Sequence, residues 1–323
     1  MTTDQDRRRH WTLADIPDQT GRRILVTGVT SGIGEHTVVE LARRGAEVIL
    51  GARNPTKLDA TRKRVLEQVP GARLERLVVD LSDLASVRHA AGEVTGPLHV
   101  LINNAGIMAT PHERTTDGFE LQMATNYLGP FALTGQLFPR LVESGGGRVV
   151  GVSSQAHRLA REAPLDDPRT QPARYRKWDA YAKSKLADLM FVLELDQRAR
   201  EQGVPVEGLA AHPGYSATGL MGTGRNHGAP LNKDGGEKMR WTASILQAVF
   251  SAVGQPADLG AHPTLMAATA ELPGSTYVGP EGWLQMRGRP HIVSPRALAR
   301  DRDARRELWR MSENATGVRF LDE

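Results

Sequence analysis

Arg23-Ile-Leu-Val-Thr-Gly28-Val-Thr-Ser-Gly32-Ile-Gly34, read with residues 35–44 behind it, decides the fold. Its opening is a short apolar run ending in glycine, the pattern of a strand buried on both faces of a parallel sheet. Residues 35–44 carry Val38, Val39, Leu41 and Ala42 at helical spacing. Strand, glycine turn and helix in direct succession present backbone amides and a helix N-terminus to a pyrophosphate. Gly28, Gly32 and Gly34 permit positive φ, or the close approach of phosphate and helix where a Cβ would intrude. Thr30, Ser31 and Ile33 lie in the same turn and complete the expected phosphate cradle.

The alternation continues outward from this turn. Residues 46–50, 74–79, 98–102, 148–152, 204–209 and 276–278 read as strands, and 55–68, 83–93, 116–142, 179–200, 257–270 and 295–312 as helices. Strands separated by helices of this length predict an α/β fold, a single doubly wound Rossmann domain with a parallel sheet of about seven strands and right-handed crossovers. A polar arm over 1–20, anchored by Trp11 and Ile16, precedes a domain over 21–323. That domain is expected to include a substrate lid at 219–256 and a C-terminal extension at 280–323.

Composition narrows the function class. With 323 residues and 40% hydrophobic content the chain can bury a sizeable core. A net charge of +4 is slight, and Arg7-Arg8-Arg9 lacks the aromatic interleaving of a nucleic-acid patch. The absence of cysteine removes disulfides, thiolate catalysis and Cys-ligated zinc. The histidines show no metal-ligand spacing, and no run approaches the ~18 apolar residues of a membrane span. A cytoplasmic protein with no nucleic-acid partner and no integral membrane segment is expected.

Tyr181-Ala-Lys-Ser-Lys185 carries the chemistry, read together with Ser154. In a helix Tyr181 and Lys185 leave the same face, with Cβ atoms about 5–6 Å apart. A free phenol has a pKa near ~10, and a fixed cation beside it favours phenolate by roughly 1–3 units. The pair therefore reads as an acid–base site.

Thr27-Gly-Val-Thr-Ser-Gly-Ile-Gly34, Asn103-Asn-Ala-Gly106, Asn126, Ser153-Ser154, Tyr181-Ala-Lys-Ser-Lys185 and Pro213-Gly-Tyr-Ser-Ala-Thr218 occur in the order and approximate spacing of the short-chain dehydrogenase/reductase family. The resemblance covers about residues 21–218. Asn126-Tyr-Leu-Gly-Pro-Phe, Val152-Ser-Ser-Gln-Ala-His157 and the long interval between Ser154 and Tyr181 look most like its retinol-dehydrogenase-like and WW-domain-oxidoreductase-like branch.

The resemblance implies a general acid–base role for Tyr181, a pKa-lowering and ribose-holding role for Lys185, a substrate-oxygen contact for Ser154 and a relay water on Asn126. It implies that Asp80, beside Leu81, accepts from the adenine amino group. The alternative for Asp80 is a helix N-cap, a job Asp83 could do instead. Asn104, Ala105 and Gly106 would shape the cofactor floor, and Pro213, Gly214 and Thr218 would close over the nicotinamide. At the end of the second strand, Ala52 stands where NAD-specific relatives carry an acid, and Arg53 follows. NADP(H) is therefore the expected cofactor, with Arg53 on the 2′-phosphate. NADPH is usually held reduced in cells, so carbonyl reduction is the expected direction.

Leu220, Met221, Trp241, Ile245, Leu246, Val249 and Phe250 in the expected lid suit a mainly apolar ketone or aldehyde. A competing source of specificity is the 155–180 insertion, whose Arg158, Arg161, Arg174 and Arg176 could admit an acid. Two function classes follow: an oxidoreductase interconverting a small-molecule carbonyl and alcohol, and a non-catalytic NADP(H)-binding sensor. Ser154, Tyr181, Lys185 and Asn126 together favour the enzyme. A homo-oligomer is compatible with either.

Overall fold

The computed structural model describes residues 11–171, 173–215 and 255–321. Alternation of side chains builds the centre. In β1 (Arg23–Thr27) Ile24 and Val26 face one way and Leu25 the other, and all three are fully buried, because helices cover both faces of the sheet. On the Ile24 side lie α1 (Gly32–Arg43) and α2 (Pro55–Gln68), contributing Val38, Leu41, Leu58 and Val65. The Leu25 side is covered by α3 (Leu84–Glu93), α4 (Gly129–Glu143) and α5 (Lys177–Glu201). The later α6 (Ala257–Thr269) returns to the first side with Leu265 and Met266.

The strands β2 (Glu47–Ala52), β3 (Arg73–Val78), β4 (Val100–Asn103), β5 (Gly147–Val152), β6 (Val206–Ala211), β7 (Tyr277–Pro280) and β8 (Pro290–Ile292) join β1 in the order β3-β2-β1-β4-β5-β6-β7-β8. Every neighbouring pair is parallel except β7 and β8. The chain winds outward from β1 to β3 and then resumes at β4 on the other side. The switch point therefore lies between β1 and β4, where a crevice opens at the carboxyl ends of the strands.

The sheet has one strand more than expected. β8 is three residues long and begins with proline, so neither periodicity nor β-propensity marks it. A turn with left-handed Leu284 (φ 51°) and Gln285 (φ 56°) reverses the chain before it. The helix expected from residue 116 also starts later. Arg114 and Glu120 form an antiparallel bridge, and the Glu120 side chain accepts from the Met123 amide to cap a single turn, Leu121–Met123. A π-helical turn, Ala124–Leu128, follows before α4. Pro130 has no N–H for the Asn126 carbonyl, and the Gly129 amide instead reaches back five residues to Ala124.

Both ends of the described chain dock on this body. Trp11 and Ile16 are buried in the core beside α1, with Trp11 edge-on to His262 at 6.5 Å. The expected terminal helix is split at Asp301, whose carboxylate caps Ala304 and starts α7 (Arg302–Thr316). One face of α7 is charged, and the other buries Leu308 and Trp309. Trp309 packs on Phe131, Phe191 and Phe320 at ring separations of 5.2, 5.8 and 4.7 Å. No helix among the described residues is long and apolar enough to cross a membrane.

Candidate active site

The glycine turn after β1 is shaped by what touches it. Gly28 has φ +73°, and a Cβ there would come within 2.6 Å of the Ala105 Cα. A Cβ on Gly34 would collide with the Gly28 carbonyl and lie 2.5 Å from Asn104 Nδ2. Gly32 is also left-handed, at φ +59°. Ser31 stands at the N-cap of α1 without a side-chain capping bond, so it does not occupy the first-turn amides beside Gly32 and Ile33. Backbone held this close, with amides at a helix N-terminus, fits a dinucleotide pyrophosphate.

Asn104, Ala105 and Gly106 follow β4 and join it to this turn. Asn104 Nδ2 donates to the Thr27 carbonyl at 2.7 Å and to that of Gly28 at 3.2 Å. The Thr27 hydroxyl accepts from the Asn104 and Ala105 amides, each at 3.1 Å. Asn126 projects from the π-turn and binds Ile107 on both sides, its Oδ1 accepting from the amide at 2.8 Å and its Nδ2 donating to the carbonyl at 2.9 Å. Nδ2 also donates to Ser184 Oγ at 2.9 Å. A Cβ on Gly106 would stand 3.3 Å from Asn126 Oδ1 and 3.5 Å from Lys185 Nζ, so one small floor brings these three residues together.

Tyr181 and Lys185 lie on α5 and are 5% and 4% exposed. Lys185 Nζ donates to the Val152 carbonyl at the end of β5, at 2.7 Å. Ser154, two residues further on, accepts from the Ala156 amide at 3.2 Å and caps the turn Gln155–Leu159. Ser154 is thus the cap of this turn, and it also lies within hydrogen-bonding reach of the Tyr181 phenol.

The expected electrostatics of this pair are corrected by the structure. Burial pushes the Tyr181 phenol up, Ser154 pulls against it and the Asp188 carboxylate adds to the rise. Burial lowers Lys185, with Asp188 opposing. The expectation of a depressed phenol counted the ammonium and left out desolvation, which is the largest influence on the phenol here.

Arg53 and Asp80 meet just beyond the ends of β2 and β3. Arg53 Nη1 is 3.7 Å from Asp80 Oδ2, with the two side chains 60% and 30% exposed. Asp80 Oδ1 accepts from the Ser82 amide and hydroxyl at 2.9 and 2.6 Å. The N-cap of α3 is Asp83, which accepts from the Ala85 and Ser86 amides. Asp80 is therefore not the helix cap. Leu81 is buried, and its carbonyl abuts α4 so closely that a Cβ on Gly129 would collide with it.

After β6, the Pro213 carbonyl accepts from Gln255 Nε2 at 2.7 Å and Gly214 is left-handed at φ +67°. Thr218 and the apolar lid residues from Leu220 to Phe250 lie outside the described residues. Of the insertion arginines, Arg158 donates to the Ser294 carbonyl, while Arg161, Arg174 and Arg176 are exposed.

Three polar residues of this site were given no role from the sequence. Ser153 Oγ donates to the Lys185 carbonyl at 2.7 Å, tying β5 to α5. Ser184 holds Asn126, as given above. Asp188 is buried on the same helix face as Tyr181 and Lys185. Its spacing, three residues past Lys185, was a legible signal of a shared face. His157 and His212 are also buried beside this end of the sheet, and burial holds them neutral, pushed down to about 4 and about 3.

A family model described as short chain dehydrogenase matches residues 22–164. Retinol dehydrogenase 13 from Homo sapiens is 33% identical over 312 residues, covering 94% of this chain and 86% of that protein. Among solved structures, an uncharacterized protein from Mycobacterium paratuberculosis is 41% identical with a TM-score of 0.78, over 96% of this chain and 98% of its own. A short chain dehydrogenase from Shigella flexneri 2a complexed with NADP is 26% identical with a TM-score of 0.52, over 66% of this chain and 85% of its own.

Proposed function

We propose, from the premise that this chain belongs to the short-chain dehydrogenase family and to its retinol-dehydrogenase-like branch, that it is an NADP(H)-dependent reductase of a mainly apolar ketone or aldehyde, with Tyr181 as proton donor. Interconversion of a carbonyl and an alcohol comes with the family. The cofactor, the donor and the substrate class are the finer reading.

The observation that carries it is the convergence of Tyr181, Ser154, Lys185 and Asn126 beside the glycine turn, at the carboxyl ends of β1, β4 and β5. A reduced nicotinamide supplies the hydride when bound. Tyr181, kept neutral by burial, then gives its proton to the carbonyl oxygen. Ser154 orients that oxygen by a hydrogen bond. Lys185 places an ammonium next to the phenol, and Asn126 fixes the Ile107 backbone above the floor at Gly106.

Preference for NADP(H) is supported by Arg53, exposed at the end of β2 with no acidic residue at Ala52. It is supported too by the Shigella relative's NADP. The substrate class is supported by the name of the human relative, which gives retinol, an apolar alcohol. Trp178 adds to it: one helical turn before Tyr181, its ring is 6.5 Å from the phenol ring and half exposed, leaving an aromatic face for an apolar substrate. Tyr181→Phe tests the reading. Turnover should fall by about 10²–10⁴-fold while NADPH binding persists, and near-wild-type turnover would remove Tyr181 from the role.

A further inference from the structure

We propose that Asp188 is the buried counter-ion of the Tyr181–Lys185 pair, a positioning residue that holds the lysine as an ammonium and the phenol in its protonated, donating form. The inference rests on the reading of Tyr181 as proton donor. Asp188 stands three residues beyond Lys185 and seven beyond Tyr181 on α5, so the three side chains leave one helix face. It is 1% exposed. Its Oδ1 presses against β5, where a Cβ on Gly151 would come within 3.1 Å of it. Its Oδ2 has no hydrogen-bond partner among the described residues.

A buried carboxylate with an unfilled acceptor keeps its negative charge only where another charge compensates it. The titratable groups that feel Asp188 come from three of the elements around it: Lys185 and Tyr181 on α5, Tyr127 on the π-turn and Tyr277 on β7; the β5 residue against it, Gly151, carries no charge. Of these four, Lys185 alone is cationic. The carboxylate helps Lys185 keep its proton and makes each of the three phenols harder to ionise. Asp188 itself is pushed up to about 6, because burial outweighs the attraction of Lys185. Near neutral pH it is therefore largely an anion, and it opposes proton loss from both members of the pair. Removing the charge lowers both pKa values, so the sign of the effect does not depend on which of the two titrates first.

The test is the pH profile of kcat/KM for NADPH-linked carbonyl reduction by the wild type, Asp188→Asn and Tyr181→Phe. The alkaline limb of Asp188→Asn should move to lower pH by about one unit or more, a tenfold lower relative rate above the limb. Asp188→Leu, with the same branched outline, bulkier methyl groups and no polar atoms, gives the same reading if the buried amide does not fold. A lower melting temperature with an unmoved limb in a folded neutral variant, while Tyr181→Phe is inactive, would overturn the counter-ion role and leave Tyr181 as donor. Near-wild-type turnover by Tyr181→Phe would instead remove the donor, and this inference with it.

Discussion

Arg53→Gln should weaken NADPH binding by about one to two decades and leave NADH binding within about twofold. In the free protein the guanidinium is 60% exposed and lies 3.7 Å from the Asp80 carboxylate. An exposed pair of this kind contributes about 0–1 kcal/mol, so little is lost when Arg53 turns to a 2′-phosphate. A hydrogen bond to a charged group contributes about 1.5–3 kcal/mol. At about 1.4 kcal/mol per decade, that is a factor of roughly 10 to 150 in Kd for the cofactor that carries the phosphate. Quenching of protein fluorescence by NADPH and by NADH, titrated into both proteins, measures the two Kd values directly. Raising the salt should narrow the difference between the proteins for NADPH alone, because the contact is exposed and screened. An unchanged NADPH Kd, or equal losses for the two cofactors, would refute the assignment.

Other consequences follow from packing and burial. Gly34→Ala drives a Cβ into the Gly28 carbonyl and Asn104 Nδ2, so NADPH affinity should fall by at least about tenfold, with about 1–3 kcal/mol lost in urea unfolding; wild-type affinity would show that the turn can open without cost. Trp309→Ala removes the ring that joins α7 to Phe131, Phe191 and Phe320 and should cost about 3–5 kcal/mol, whereas a loss below about 1 kcal/mol would mean that α7 is dispensable to the core. The buried neutral imidazoles set an acid limit on stability. Folded pKa values of about 4 for His157 and about 3 for His212 lie below the unfolded value of 6.5, so the unfolded chain binds more protons. Stability is therefore full above pH ~6.5 and lost as the pH falls toward 4, at up to about 1.4 kcal/mol per unit for each histidine. Asp188, raised to about 6, works in the opposite sense between its unfolded value of 3.8 and 6, and the two histidines outweigh it. Melting temperatures that rise between pH 7 and pH 5 would contradict this balance.

Much of the fold was legible because its signals are local. The run from Arg23 to Gly34 sets strand, turn and helix by its apolar stretch and its glycines, and the structure shows the collisions that require Gly28 and Gly34. Asp83 read as an available helix cap, and it is one. What escaped depends on distant or absent partners. β8 exists only by pairing with β7. The π-turn at Asn126 comes from Pro130 interrupting a helical pattern that otherwise runs on. The spacing of Asp188 was visible, but its burial against Gly151 was not, since no residue near it in sequence announces that contact. The phenol of Tyr181 shifted opposite to expectation for the same reason: depth in the fold cannot be read from a four-residue interval. Thr218 and the apolar segment from Leu220 to Phe250 lie outside the described residues, so the substrate class rests on Trp178 and on the relatives.

The most direct test of an NADP(H)-linked reductase of apolar carbonyls is kcat/KM with NADPH, followed by loss of its absorbance, across a size-matched panel. The panel would pair all-trans-retinal, long-chain aldehydes and polycyclic ketones with keto acids and sugars. At least one apolar carbonyl should be reduced with kcat/KM more than about tenfold above every charged or sugar compound, and NADH should serve less well than NADPH. Protein that binds NADPH yet oxidises it with no member of the panel would contradict the account and favour a cofactor-binding sensor.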